Sequence, residues 1–143
     1  MTEPVDERRH FIQSFMAAVP HVAALGIAYV AHGDDWAELT LPPHPDLVGF
    51  TDFGVVANGA VFSLVDSAAG FAVFARLGRL DHATIDLRLD YVGAPPPDAT
   101  ITARMTCYRV TRRIVFVRGV AHVGDPGRPI ANATGTFMIG LAA

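Results

Sequence analysis

Asp66 is the one residue in the middle of this chain whose chemistry stands out from its surroundings. It is the only ionisable side chain between Asp52 and Arg76, a run that is otherwise almost wholly apolar. An unpaired carboxylate is expensive to bury, so it is either paired or kept for function. A carboxylate in a partly apolar cleft gains basicity, which suits a nucleophile or a general base acting on water. The structural alternative is that Asp66 accepts from a backbone amide or faces an interface. Eight and seven residues upstream, Asn58 and Gly59 fall where a helix begins. Free N–H groups there, with the helix dipole behind them, favour negative charge and can hold an oxyanion. The plainer reading is that asparagine caps the helix and glycine allows a tight turn into it. Both can hold together.

Other candidates carry weaker signals. Arg109, Arg112 and Arg113 cluster about one turn, and arginine forks suit phosphate oxygens, although arginines at a turn are often only solvated. The six histidines, His10, His21, His32, His44, His82 and His122, show no HxH or HxxxH spacing, so no metal site and no cofactor are expected. Cys107, the single cysteine, lies in a strand-like run and reads as a buried structural thiol. Trp36 and the nine phenylalanines read as core, with Phe50, Phe53 and Phe62 available to line an apolar pocket.

Composition removes whole classes of function. Eleven arginines and no lysine exclude Schiff-base chemistry, pyridoxal phosphate attachment and a P-loop lysine. A net charge of −3 gives no broad positive field for nucleic acid. One cysteine excludes an internal disulfide framework. The start, MTEPVDERRHF, is acidic without an apolar stretch, so no secretory signal is expected and the cytoplasm is the expected compartment.

These residues need elements to hold them. Residues 6–19 have helical spacing at Phe11, Phe15, Met16 and Val19, with Pro20 as the stop. Residues 27–32 and 36–41 form a hairpin about Gly33-Asp34-Asp35, and 42–53 is a proline-rich loop. Residues 54–75 are long and apolar enough to span a bilayer. An aspartate at the centre costs roughly 2.5–3.5 kcal/mol on insertion, so this is read as a buried core helix. Four strands follow, at 84–92, 100–110, 113–123 and 130–139. In the first, Ile85, Leu87, Leu89 and Tyr91 alternate with Asp86, Arg88 and Asp90, which predicts one face on the core. The connections are too short for parallel crossovers, so the class is α+β: an antiparallel sheet wrapped around one long buried helix, in a single domain spanning 1–143.

That order, and the residues within it, resemble the hotdog-fold acyl-CoA thioesterases of the phenylacetate-pathway (PaaI-like) group, over roughly residues 20 to 140. The group's signature is N-x-x-G-x-x-H-G-G followed by L-x-D-x-A. Here the stretch runs from Thr51 to Ala68, and Gly54, Gly59 and Asp66 match. The strand ending in Tyr91 and the tail from Ile130 to Phe137 resemble the group's core and last strands. The group's asparagine falls on Thr51, its histidine on Ala57 and its first helix glycine on Asn58.

The resemblance implies hydrolysis of a coenzyme A thioester, with an aryl or short to medium acyl group, to free acid and thiol. It implies Asp66 as nucleophile or base, the N–H groups near Asn58 and Gly59 as oxyanion donors, and Thr84 placing a hydroxyl near the attacking water. Thr51 and Tyr91 would meet substrate, and the Arg109, Arg112, Arg113 region the coenzyme A phosphates. An active site shared across a homodimer is implied, often with dimers paired into tetramers. The alternative is an acyl-CoA or lipid-binding protein whose altered loop has lost the chemistry. A hydratase fits least, because Ala57 and Asn58 offer no acid–base pair.

Overall fold

The computed structural model describes residues 4–50 and 54–141. In chain order the elements are α1 (Pro4–Ala18), α2 (Pro20–Leu25), β1 (Ala28–His32), β2 (Trp36–Leu41), a 3-10 turn (Pro45–Leu47), β3 (Val48–Phe50), β4 (Val55–Val56), α3 (Asn58–Leu77), β5 (His82–Tyr91), β6 (Ile101–Val110), β7 (Ile114–His122) and β8 (Pro129–Ile139). Six strands make one antiparallel sheet in the order β1-β2-β6-β7-β8-β5, while β3 and β4 form a small ribbon of their own. The α+β class, the antiparallel sheet and the single long helix are as the sequence implies.

α3 passes the length and hydropathy test for a membrane span, yet most of it is buried inside the fold. Leu64, Val65, Ala68, Ala69, Ala72 and Val73 are fully buried, and the helix packs chiefly on β2 and β6. The alanines let the helix sit close to the sheet. The sheet answers with Leu39, Leu41, Ala103, Met105 and Val117, also without exposure. Cys107 is buried among them, as expected, and burial pushes its thiol pKa up.

Several boundaries differ from the sequence reading. Pro20 does not end the helical segment. It holds Val19 extended and then occupies the first position of α2, where its missing N–H costs nothing and its fixed φ suits a helix. The loop 42–53 contains the 3-10 turn and β3. α3 begins at Asn58 rather than 54 and continues to Leu77, closed by Gly78 in the left-handed region at φ 72°. Its cap position is Ala57, which makes no side-chain capping bond, so Asn58 is the first helical residue and not the cap. Trp36 is not core. Ala37, Leu39 and Leu41 take the inner face of β2, and Arg104 lies over the Trp36 ring at 3.6 Å on the outer one.

The difference that matters most is in β5. Its register against β8 slips between Thr84, opposite Phe137, and Asp86, opposite Thr136, which leaves Ile85 as an extra residue. Phe137 is buried, and directly opposed side chains share a face, so Thr84 and His82 point inward before the bulge. Leu87 and Leu89 take the inner face after it. Ile85 is left 52% exposed.

Candidate active site

Asp66 stands midway along α3, on the side of the helix turned toward β5 and α2 rather than into the sheet. It is half-buried, not enclosed. Thr84 Oγ1 donates to Asp66 Oδ1 at 3.0 Å. Among the described residues that is the carboxylate's one hydrogen bond, so Oδ2 is unengaged. The β5 bulge produces this contact, because a regular strand with Ile85, Leu87 and Leu89 inward would turn Thr84 away from the helix.

Asp66 forms part of the wall of a cavity of about 370 Å3. That is near the lower end of ligand-site volumes. The rest of the wall is mainly apolar: Phe15 and Val19 from α1 and its end, Val22 from α2, Phe71 from α3, and Leu80. The aromatic residues of the wall are thus Phe15 and Phe71. Phe62 is exposed and does not border the cavity, and Phe53 lies outside the described residues.

Two histidines also reach the cavity, and nothing in their sequence spacing marks them. His82 lies two residues before Thr84 on the inner face, edge-on to Phe137 at 5.6 Å. Burial holds its pKa below the ordinary histidine value, against the opposing pull of the Asp81 carboxylate. His21, on α2, has Nε2 3.0 Å from Ser63 Oγ. Ser63 in turn donates to the Gly59 carbonyl at 3.0 Å, and Ser67 to the Ser63 carbonyl at 2.8 Å. A polar line therefore runs along α3 from its first turn to Ser67, the residue after Asp66, and α2 touches it.

At the start of α3, neither the Asn58 nor the Gly59 N–H has an intrahelical partner. A Cβ built on Gly59 would meet nothing within 4 Å, so the approach to this turn is open. Tyr91, at the end of β5, donates its hydroxyl to the Asn58 carbonyl at 3.0 Å. Asn58 C=O and Gly59 N–H belong to one planar trans peptide and point in opposite directions. Tyr91 therefore fixes the aim of the Gly59 N–H. Burial raises the Tyr91 pKa, which keeps the hydroxyl a donor.

The remaining candidates are dispersed. Thr51 lies outside the described residues. Arg109 is on β6, and Arg112 and Arg113 are in the turn to β7; all three are exposed and none borders the Asp66 cavity. Within one chain the fold brings together Asp66 and Thr84, and separately Asn58, Gly59 and Tyr91.

The chain is similar in sequence and fold to several known proteins. YigI of Escherichia coli K12, a medium/long-chain acyl-CoA thioesterase, is 27% identical over 144 residues, covering 90% of each chain. A Pseudomonas aeruginosa protein of solved structure is 34% identical with a TM-score of 0.81, covering 94% of this chain and 98% of that one. The E. coli PaaI protein of the phenylacetic acid degradation operon shares the fold at a TM-score of 0.83 and 15% identity, covering 94% of each chain. The sequence model of the thioesterase superfamily matches residues 53–130, a segment that includes α3 with Asp66 and all of β5, β6 and β7. The chain belongs to the thioesterase superfamily, and its fold is the hotdog fold.

Proposed function

We propose that this protein is an acyl-CoA thioesterase in which Asp66 acts on the thioester carbonyl. The observation that carries the reading is the Asp66 carboxylate, oriented by Thr84 at 3.0 Å and bordering an apolar cavity in a chain of this family. The acyl group lies in the cavity, and water attacks the carbonyl carbon while Asp66 takes its proton. The C–S bond then breaks, and the departing thiolate of coenzyme A recovers a proton. In the nucleophilic variant Asp66 attacks first, and water cleaves the resulting anhydride. Acyl-CoA is the substrate and no cofactor takes part. Thr51 is a further substrate-site residue, and the Arg109, Arg112, Arg113 cluster serves as the contact for the coenzyme A portion.

The oxyanion donors are the N–H groups of Asn58 and Gly59, and they come from a second copy of the chain. Gly59 and Asp66 are seven residues apart on one helix, about 10 Å along its axis. A donor works at about 3 Å from the oxyanion, and a nucleophile at about 3–3.5 Å from the carbon, so a single carbonyl cannot use both from one protomer. A homodimer that brings Asp66 of one protomer to the α3 start of its partner meets the requirement, alone or as half of a dimer-of-dimers tetramer. The outer edge of β5 supports that assembly. It is a ten-residue edge strand, and Ile85, Tyr91 and Val92 around it are 52%, 39% and 61% exposed. The cytoplasm suits a chain with a single buried thiol and no disulfide.

The alternative is an acyl-CoA or lipid-binding protein without turnover. Ala57 favours it, since this residue brings no side-chain donor or base to the start of α3. One assay decides between them: thiol release from aryl-, short-, medium- and long-chain acyl-CoA esters by the wild type and by Asp66→Ala. Turnover that falls at least about 100-fold in the variant is the expected result. Tight binding of the esters with no thiol release by the wild type would establish the binding protein instead.

A further inference from the structure

We propose that Phe15 sets the length of acyl chain this enzyme accepts, an inference that rests on reading the Asp66 cavity as the acyl site. From Asp66 the cavity extends toward the C-terminal end of α3, past Gly70 to Phe71, with Phe15 and Leu80 beside it. A second groove of about 600 Å3 follows along the same seam, walled by Phe11, Phe74 and Leu80, with Arg8 and Arg79 at its rim. Leu80 borders both spaces. As α3 advances from Phe71 to Phe74, α1 returns from Phe15 to Phe11, four residues and one turn earlier. Phe15 meets Phe71 edge-on at 5.9 Å, Phe11 stacks on Phe74 at 4.7 Å, and the two α1 rings lie 6.2 Å apart.

The Phe15 ring thus walls the reacting cavity beside Leu80, the residue shared with the groove, and 6.2 Å from the Phe11 ring that walls that groove. Phe15 is 41% exposed, so its ring borders open space rather than filling a core. A straight saturated chain with its carbonyl at Asp66 runs along α3 until it meets this ring. The first cavity is bounded at this end, so it takes a chain of limited length. Longer chains need Phe15 to move aside before they reach the groove lined by Phe11 and Phe74.

The test is kcat/KM for saturated acyl-CoA esters from two to eighteen carbons, for the wild type, Phe15→Ala and Phe15→Trp. In the wild type the value should rise about fourfold per methylene and then break at the length that brings the chain end to Phe15. Phe15→Ala should move the break two to four carbons upward and raise the ratio of fourteen-carbon to eight-carbon activity by about tenfold or more. Phe15→Trp should move the break downward, and it decides the question if the alanine variant does not fold. An active wild type whose break stays fixed in both folded variants, or falls equally at every length, overturns the proposal while leaving the thioesterase reading intact. A wild type that releases no thiol from any ester overturns both.

Discussion

Replacing Thr84 by valine isolates the contact that orients Asp66. Valine keeps the β-branched shape and strand preference of threonine and removes only the hydroxyl. The lost bond is 3.0 Å long and ends on a carboxylate. Hydrogen bonds to charged groups contribute about 1.5–3 kcal/mol, or roughly a tenfold to hundredfold effect. Thr84 is exposed on its strand, so water competes for the carboxylate and the lower end applies. We expect kcat to fall about tenfold, with KM and the melting temperature little changed. Thr84→Ser keeps the donor and should stay within about threefold of wild type. The assay is initial-rate thiol release across a concentration series, alongside a thermal melt. A valine variant with wild-type kcat, or a serine variant as impaired as the valine one, would refute the assigned role.

Three further expectations follow from the same geometry. Tyr91→Phe removes the bond that holds the Asn58–Gly59 peptide, so kcat should fall about threefold to tenfold while KM moves little; a rise in KM alone would mean the hydroxyl contacts substrate instead. His82, whose pKa burial lowers, is neutral in the fold and takes up a proton more readily when unfolded. Its contribution to stability is therefore full above its unfolded value near 6.5 and is lost as pH falls from there through the folded value. His82→Gln should flatten the dependence of melting temperature on pH in that window, and an unchanged slope would count against a buried neutral imidazole. Leu64→Ala, at a fully buried position of α3, should cost about 2–5 kcal/mol in denaturant unfolding, and a loss below about 1 kcal/mol would contradict close packing of the helix on the sheet.

The architecture was legible because its signals are long. The apolar run broken only by Asp66 identifies the core helix, and the alternation from Thr84 to Val92 identifies a half-covered strand. Asp66 was legible for the same reason, as one charge in an apolar stretch. The site's other half was not. The regular alternation of Ile85, Leu87 and Leu89 predicts one continuous inner face, whereas the bulge at Ile85 transfers that face to His82 and Thr84. Only the resemblance drew attention to Thr84. Pro20 read as a stop because it cannot continue a helix, yet it can begin one, and α2 then carries His21 and Val22 to the cavity. The cavity wall brings together residues from α1, α2, α3 and the start of β5, a convergence that no local spacing reveals.

The central claim is that Asp66 of one protomer works with the α3 N-terminus of another. Gly59→Pro deletes the Gly59 N–H in a first turn that tolerates proline, and the added ring faces open space in its own chain. Asp66→Ala deletes the carboxylate. Each variant alone should be nearly inactive. Co-expressed in equal amounts, random pairing makes half the dimers mixed, each with one intact site, so about a quarter of wild-type activity should return. A mixture no more active than its parents would place both groups within one chain and contradict the account.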